Sequence, residues 1–510
     1  METGVKLRNN FPKVNSVLHF TGNILIYFSF VFLIPLIFVF INKQSSTTWM
    51  GFIEPFVISL SLGLFLKKIF TYRKLTLTTS MLLCVVIWLV ISIIGAIPFV
   101  RIIDSSLING FFEAMSGFTT TGITVYNGLD SMPQSILFWR SLTQWLGGLG
   151  VLSLFLLFLF NSGGSHHIFG AESHKINSSR LTPGLFNTVK SLWIVYAVLT
   201  LFAITLYFLE GMTLFDAINH AFTSLSTGGY SPHDASIDYY RQIGHKNYKL
   251  IEYTVTFFML LGGINFLVHF RILKGDFKAV KDTEEIRFWW KLIALFTFII
   301  MINHLHKVEG LNFFKNKSLS DIFIKIEELF RYSIFQVISL FTTTGFGTKD
   351  INAPYFPALA KQLFLVMMLF GGCVGSTAGG IKFTRILMLK KLIGREIFKL
   401  RVSRRASSKI TMDKEIISDN EIFRVASLFF YWMVLLLVGG GITAMFSNLN
   451  GWASFSGMFS ALGNIGPCYI SVPDMINISP IVKLTYIFGM LAGRLEILPV
   501  LLLFNIKAWK

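Results

Sequence analysis

The sequence predicts an all-α polytopic membrane protein in which four repeats of outer helix, pore loop and inner helix surround a pseudo-fourfold pore, preceded by an N-terminal two-helix hairpin. Three observations carry that prediction. Of 510 residues, 53% are hydrophobic and only 14% charged, an apolar content beyond what a soluble core needs. About ten apolar runs, among them 17–41, 81–100, 193–209, 289–302, 423–445 and 481–504, approach or exceed the roughly 20 residues that cross a bilayer as a helix. Third, the stretch Phe118-Thr119-Thr120-Thr121-Gly122 returns as Leu225-Ser226-Thr227-Gly228, as Phe341-Thr342-Thr343-Thr344-Gly345 and as Gly463-Asn464-Ile465-Gly466, about 100 residues apart each time.

Residues 1–74 form the hairpin: a span over 17–41, an outer turn through Lys43 and Ser45, a second span from about 50 to 66, and the basic patch Lys67, Lys68, Arg73 and Lys74. The first repeat, 75–188, holds an outer helix to Val100, a re-entrant segment over 104–124 and an inner helix over 135–160. Asp104 and Ser105 are the expected caps, and the consecutive β-branched threonines with glycine stop the helix near Phe118. A helix ending there aims its negative end at the pore axis, which favours a cation.

The second repeat, 189–286, runs through 191–209, 213–230 and about 249–271; the third, 287–414, through 289–302, 320–349 and 357 to about 392; the fourth, 415–510, through 423–446, 451–470 and 480–505. From each repeated glycine to one in the following inner helix the spacing is 25 (Gly122 to Gly147), 34 (Gly228 to Gly262), 26 (Gly345 to Gly371) and 27 (Gly466 to Gly493). The polar insert 231–247 accounts for the outlier.

A formal charge of +18 does not indicate nucleic acid here, because the basic residues are spread between apolar spans rather than along one face beside stacking aromatics. About two thirds of the 45 Lys and Arg fall in segments that are cytoplasmic if both termini are, as the positive-inside rule requires. The connection 382–414, with Arg401, Arg404 and Arg405, is the most basic; it suits membrane lipid head groups or a cytoplasmic regulator. Cys84, Cys373 and Cys468 read as structural thiols, and no cleavable signal peptide is evident.

Irregular backbone at membrane depth is tolerated where it is buried in protein or lines a water-filled path. Carbonyls of Thr120-Thr121, Ser226-Thr227, Thr343-Thr344 and Asn464-Ile465 replace the water around a monovalent cation, and Gly122, Gly228, Gly345 and Gly466 leave room where a Cβ would not fit. The filter stretches carry no acid, which would hold divalent ions too strongly, and none is expected buried at that depth.

At these residues the chain resembles the Trk/Ktr/HKT superfamily of potassium transporters, specifically a Trk-type pore subunit, from Leu75 to Lys510. The resemblance is carried by residues 115–122, by Ser226-Thr227-Gly228-Gly229-Tyr230-Ser231 with His233-Asp234-Ala235-Ser236, by Gly375-Ser376-Thr377-Ala378-Gly379-Gly380-Ile381-Lys382 and by Asn464-Ile465-Gly466-Pro467. It implies a potassium ion in a pseudo-fourfold pore, a homodimer, and cytoplasmic nucleotide-binding regulatory subunits of the Trk A type. In that superfamily a serine at the first filter glycine accompanies sodium permeability, so Gly122 predicts potassium preference. The fourth copy departs from the usual pattern, with Cys468-Tyr469-Ile470 in place of a more glycine-rich continuation.

The run Gly371-Gly372-Cys373-Val374-Gly375-Ser376-Thr377-Ala378-Gly379-Gly380 has too many glycines to continue the third inner helix and resembles the family's intramembrane gating loop. Arg494 interrupts the fourth inner helix, two residues before Glu496, and is expected to hold that loop through its carbonyls. No GxxxxGKS/T, GxGxxG, GxSxG or HExxH pattern occurs, so no nucleotide is expected on this chain and no enzyme activity. His166, His167, Glu172 and His174 suit a solvated cytoplasmic loop better than a metal site. The alternatives are a transporter of the same fold that admits sodium, and a secondary transporter with broken helices, which predicts two breaks rather than four.

Overall fold

The computed structural model describes residues 12–72, 75–161, 185–310, 318–402 and 408–509. His166, His167, Glu172, His174, Arg404 and Arg405 lie outside the described residues. The regular secondary structure of the described residues is helical apart from a short hairpin pairing Thr411–Met412 with Glu415–Ile416.

The N-terminal hairpin is one apolar span, Lys13–Ile41, returning as Ser46–Ile69. Its helices touch backbone to backbone: a Cβ on Gly22 would lie 2.8 Å from the Gly63 carbonyl, and one on Gly63 2.9 Å from the Gly22 carbonyl. Phe32 and Phe52 pack on Trp139 of the first inner helix at 4.9 and 6.2 Å between ring centroids, which seats the hairpin against the first repeat.

Each repeat then shows a long outer helix (Leu77–Gly95, Leu185–Leu209, Glu284–His304, Asp419–Met445) and a central helix (Leu107–Phe118, Leu214–Leu225, Leu319–Phe341, Gly451–Gly463). The central helices begin alike: Ser106, Thr213, Ser318 and Asn450 each accept the backbone N–H three residues on. In the first repeat the cap is therefore Ser106, not Asp104 or Ser105; Asp104 is in a left-handed turn (φ +54°) before it. Two hydrophobic cores close the ring, one joining the hairpin to the first and fourth repeats, the other joining the second to the third.

Six described helices, or seven with one bent pair, are long and apolar enough to span a membrane, against the ten or so expected. The inner helices account for part of the difference, because three of the four are broken. The second runs Tyr248–Gly263, then turns by 105° into Phe266–Leu273 rather than continuing to Arg271, with Asn265 capping the new piece through Leu267 N at 2.8 Å. The third runs Ala358–Met367 and resumes at Phe383–Lys399. The fourth breaks at Glu496, whose φ of +67° no helix accepts, so Arg494 does not interrupt it but sits inside Pro480–Leu495. The first, Gln134–Asn161, is continuous.

Candidate functional site

Every central helix ends in the same hydrogen-bonded cap. Just past each helix one residue reaches back to a carbonyl five positions earlier: Thr121 N to Ser116 O (2.8 Å), Gly228 N to Thr223 O (2.9 Å), Thr344 N to Ser339 O (2.9 Å) and Ile465 N to Ser460 O (3.0 Å). The residue before each of these bonds a carbonyl three positions back and is left-handed: Thr120 (φ +49°), Thr227 (+53°), Thr343 (+55°) and Asn464 (+53°). This is a Schellman cap, normally closed by glycine. The helices therefore stop by a left-handed turn at threonine or asparagine.

The residue that follows each ring position is a left-handed glycine: Gly122 (+85°), Gly229 (+73°), Gly345 (+85°) and Gly466 (+103°). A Cβ on Gly122 would meet the carbonyl of Gly228, one on Gly229 that of Thr344, one on Gly345 that of Ile465, and one on Gly466 that of Thr121, the last at 3.0 Å. The contacts run first copy to second, second to third, third to fourth and fourth to first. They bring the four predicted stretches into one closed ring whose level is set by Thr121, Gly228, Thr344 and Ile465.

That ring corrects the register of the second copy by one residue. Its turn is Thr227-Gly228-Gly229, so Gly229 matches Gly122, and Ser226 matches Thr119 and Thr342 on the helix side. Two adjacent glycines make the copy ambiguous in sequence; the neighbouring Thr344 carbonyl selects the second of them.

The inner-helix glycines have a matching steric reason. A Cβ on Gly147 would strike the Phe118 carbonyl, one on Gly493 the Leu462 carbonyl, and one on Gly262 would lie 3.1 Å from the Leu225 carbonyl and 2.7 Å from Thr227 Cγ2. Three inner helices thus press on the carboxyl ends of the central helices. Gly371 instead faces the Gly379 carbonyl, inside its own loop.

One acid does lie buried beside the ring, contrary to expectation. Glu113 pairs with Arg140 Nε at 2.9 Å and accepts from Val125 N and Thr124 Oγ1, both at 3.0 Å, just after the first copy. Arg140 goes on to the Ser231 carbonyl at 3.0 Å and lies over the Tyr230 ring, 4.1 Å from its centroid, in the second copy. Partners 27 residues apart gave no local signal of the pair.

On one side of the ring is a cavity of about 650 Å³ lined by Gly122, Gly229, Gly345 and Gly466 among others. On the other side lies the glycine-rich break 368–382, pinned to three repeats. Cys373 N bonds the Gly263 carbonyl at 2.9 Å, Thr377 Oγ1 the Leu225 carbonyl at 2.8 Å, and Gly379 N the Thr343 hydroxyl at 2.8 Å. Gly379 abuts Asn464, where a Cβ would lie 2.6 Å from Oδ1. Arg494 donates to the Thr377 carbonyl and, at 3.3 Å, to that of Gly147. Of the other predicted loop residues, Gly375 accepts from Phe266 N at 3.0 Å, Ser376 bonds the Cys373 carbonyl at 2.5 Å, and Gly372 and Gly380 pack inside the loop. The loop thus lies against the side of the ring opposite the cavity, tied by these hydrogen bonds to neighbouring repeats.

The family described as TrkH, cation transport protein, matches residues 49–509. The Trk system potassium uptake protein TrkH of Escherichia coli (strain K12) is 30% identical over 507 residues, covering 97% of this chain and 99% of that protein. The Trk system potassium uptake protein TrkG of the same strain is 31% identical over 518 residues, covering 98% and 100%. The crystal structure of the potassium transporter TrkH from Vibrio parahaemolyticus is similar over 98% of this chain and 100% of that one, at 28% identity and a TM-score of 0.83.

Proposed function

Because this chain belongs to the TrkH family of cation transport proteins, we propose that it carries potassium across the cytoplasmic membrane inward, through a filter made by the four caps. The family is one of transporters, not enzymes. The observation that supports a filter most directly is the closed cycle of glycine-to-carbonyl contacts among the four copies. Backbone oxygens held rigidly by such packing replace the hydration shell of a bare cation without fixed negative charge. Inward movement of one cation is favoured by about 2.3 kcal/mol per 100 mV of inside-negative potential, which drives uptake without coupled chemistry.

The loop 368–382 acts as the gate and Arg494 as its latch. Arg494→Ala then raises open probability in reconstituted bilayers, and an unchanged open probability would exclude the latch. The chain works as a homodimer, and a cytoplasmic nucleotide-binding subunit docks on the basic 382–414 face. Rubidium and sodium uptake into proteoliposomes tests the main reading: the wild type takes up rubidium in preference to sodium, and Gly122→Ser loses that preference. A wild type carrying neither rubidium nor potassium, with the regulatory partner present, would overturn it.

A further inference from the structure

The four copies are not fastened alike, and the odd one is the second. In the first and third, a serine of the central helix donates to the carbonyl just past the ring glycine: Ser116 to Ile123 O at 2.6 Å, Ser339 to Phe346 O at 2.7 Å. In the fourth, Ser460 Oγ accepts from Gly466 N at 3.0 Å. The matching residue of the second copy is Thr223, whose hydroxyl turns back to the Asn219 carbonyl of its own helix at 3.0 Å.

Gln144, fully buried on the first inner helix, takes over. Its Nε2 donates to the Gly228 carbonyl at 2.7 Å and its Oε1 accepts from Tyr230 N at 3.0 Å, one amide grasping the backbone on both sides of Gly229. Tyr230 N–H needs an acceptor and the Gly228 carbonyl a donor, so the orientation of the amide is determined by its partners.

The ring positions repeat the same substitution in space. Thr121 and Thr344 carry hydroxyls that close onto Thr119 and Thr342 at 2.7 and 2.8 Å. Gly228 carries no side chain, and a Cβ there would lie 2.8 Å from Gln144 Nε2. Its backbone is not left-handed, and the three atoms nearest such a Cβ all belong to the Gln144 amide.

We infer that Gln144 is a positioning residue for cation discrimination: it stands in for the side chain missing at Gly228 and holds that carbonyl, one quarter of the ring, from the neighbouring repeat. The inference rests on the potassium-uptake reading for its selectivity half and on packing alone for its structural half.

The test uses the full chain in proteoliposomes as wild type, Gln144→Met, which keeps the volume and removes the amide, Gly228→Thr, and Gln144→Ala combined with Gly228→Thr. Rubidium and sodium uptake are measured for each, together with melting temperature. Gln144→Met lowers the rubidium-over-sodium preference about tenfold while uptake persists, as loss of a buried hydrogen bond predicts. Gly228→Thr alone melts lower than the combined variant, which recovers part of the preference. Wild-type preference in Gln144→Met, or a combined variant no better than Gly228→Thr, overturns the inference. If the wild type transports nothing, the potassium reading fails, and the order of melting temperatures still decides whether Gln144 and Gly228 share one space.

Discussion

Thr120, Thr227 and Thr343 hold left-handed backbone that costs a β-branched residue about 1–3 kcal/mol, whereas Asn464 at the same position tolerates it well. The ring glycines are bound by two constraints at once, φ and a neighbour's carbonyl. Gly229→Ala therefore destabilises by about 1–3 kcal/mol and degrades rubidium preference. Gly347→Ala, whose Cβ meets nothing closer than 3.4 Å, serves as the silent control in the same melts and flux assays. The Glu113–Arg140 pair makes a different prediction. Arg140→Met leaves a buried carboxylate without its counter-charge and costs about 3–5 kcal/mol, while adding Glu113→Leu recovers part of it, because the ion pair itself contributes little over apolar packing of like volume but Val125 N and the Ser231 carbonyl still lose their partners. Thermal melts of the two variants check this; equal losses would refute it.

At the scale of elements, the outer loop of the second repeat is tied across to the first. His233 is clamped between Asp130 Oδ1 of the first repeat's outer loop, at 2.5 Å, and Asp216 Oδ1 of the second central helix, at 3.4 Å, with Tyr239 stacked on its ring and His220 and Tyr240 nearby. Burial lowers its pKa, but bonds to Asp216 and Asp130 outweigh that and raise it above the ordinary histidine value. The clamp is then fully present below that ordinary value and is lost as pH rises through the raised one. His233→Gln accordingly lowers the melting temperature at pH 6 and has little effect at pH 9; a loss equal at both would mean the charge plays no part. Elements differ in how far the sequence discloses them. Long apolar helices are legible because bilayer thickness sets their length, and the threonine-glycine copies because a crowded axis excludes Cβ atoms. The break at Glu496 is not legible, since glutamate carries no preference for φ +67° and is held there with Arg385, 2.6 Å from its carboxylate. Nor is the choice of Gly229 over Gly228, which depends on a carbonyl more than a hundred residues away.

For the whole molecule, the distribution of Lys and Arg predicts which side each surface faces. With Cys84 and Cys373 buried and Cys468 replaced by serine, a cysteine at exposed Lys246 reacts with an impermeant maleimide added outside intact cells, and one at exposed Lys409 reacts only after permeabilisation. The reverse pattern would invert the topology and with it the direction of uptake. The ring has a further consequence for heredity. A pore assembled from four identical subunits receives every codon change fourfold, so a small alteration of one carbonyl is multiplied around the axis at once. Here Thr121, Gly228, Thr344 and Ile465 are written separately in one chain, and a mutation reaches a single quarter. Such a ring is tuned in single steps, and its quarters are free to diverge, as the glycine at 228 and the isoleucine at 465 already have.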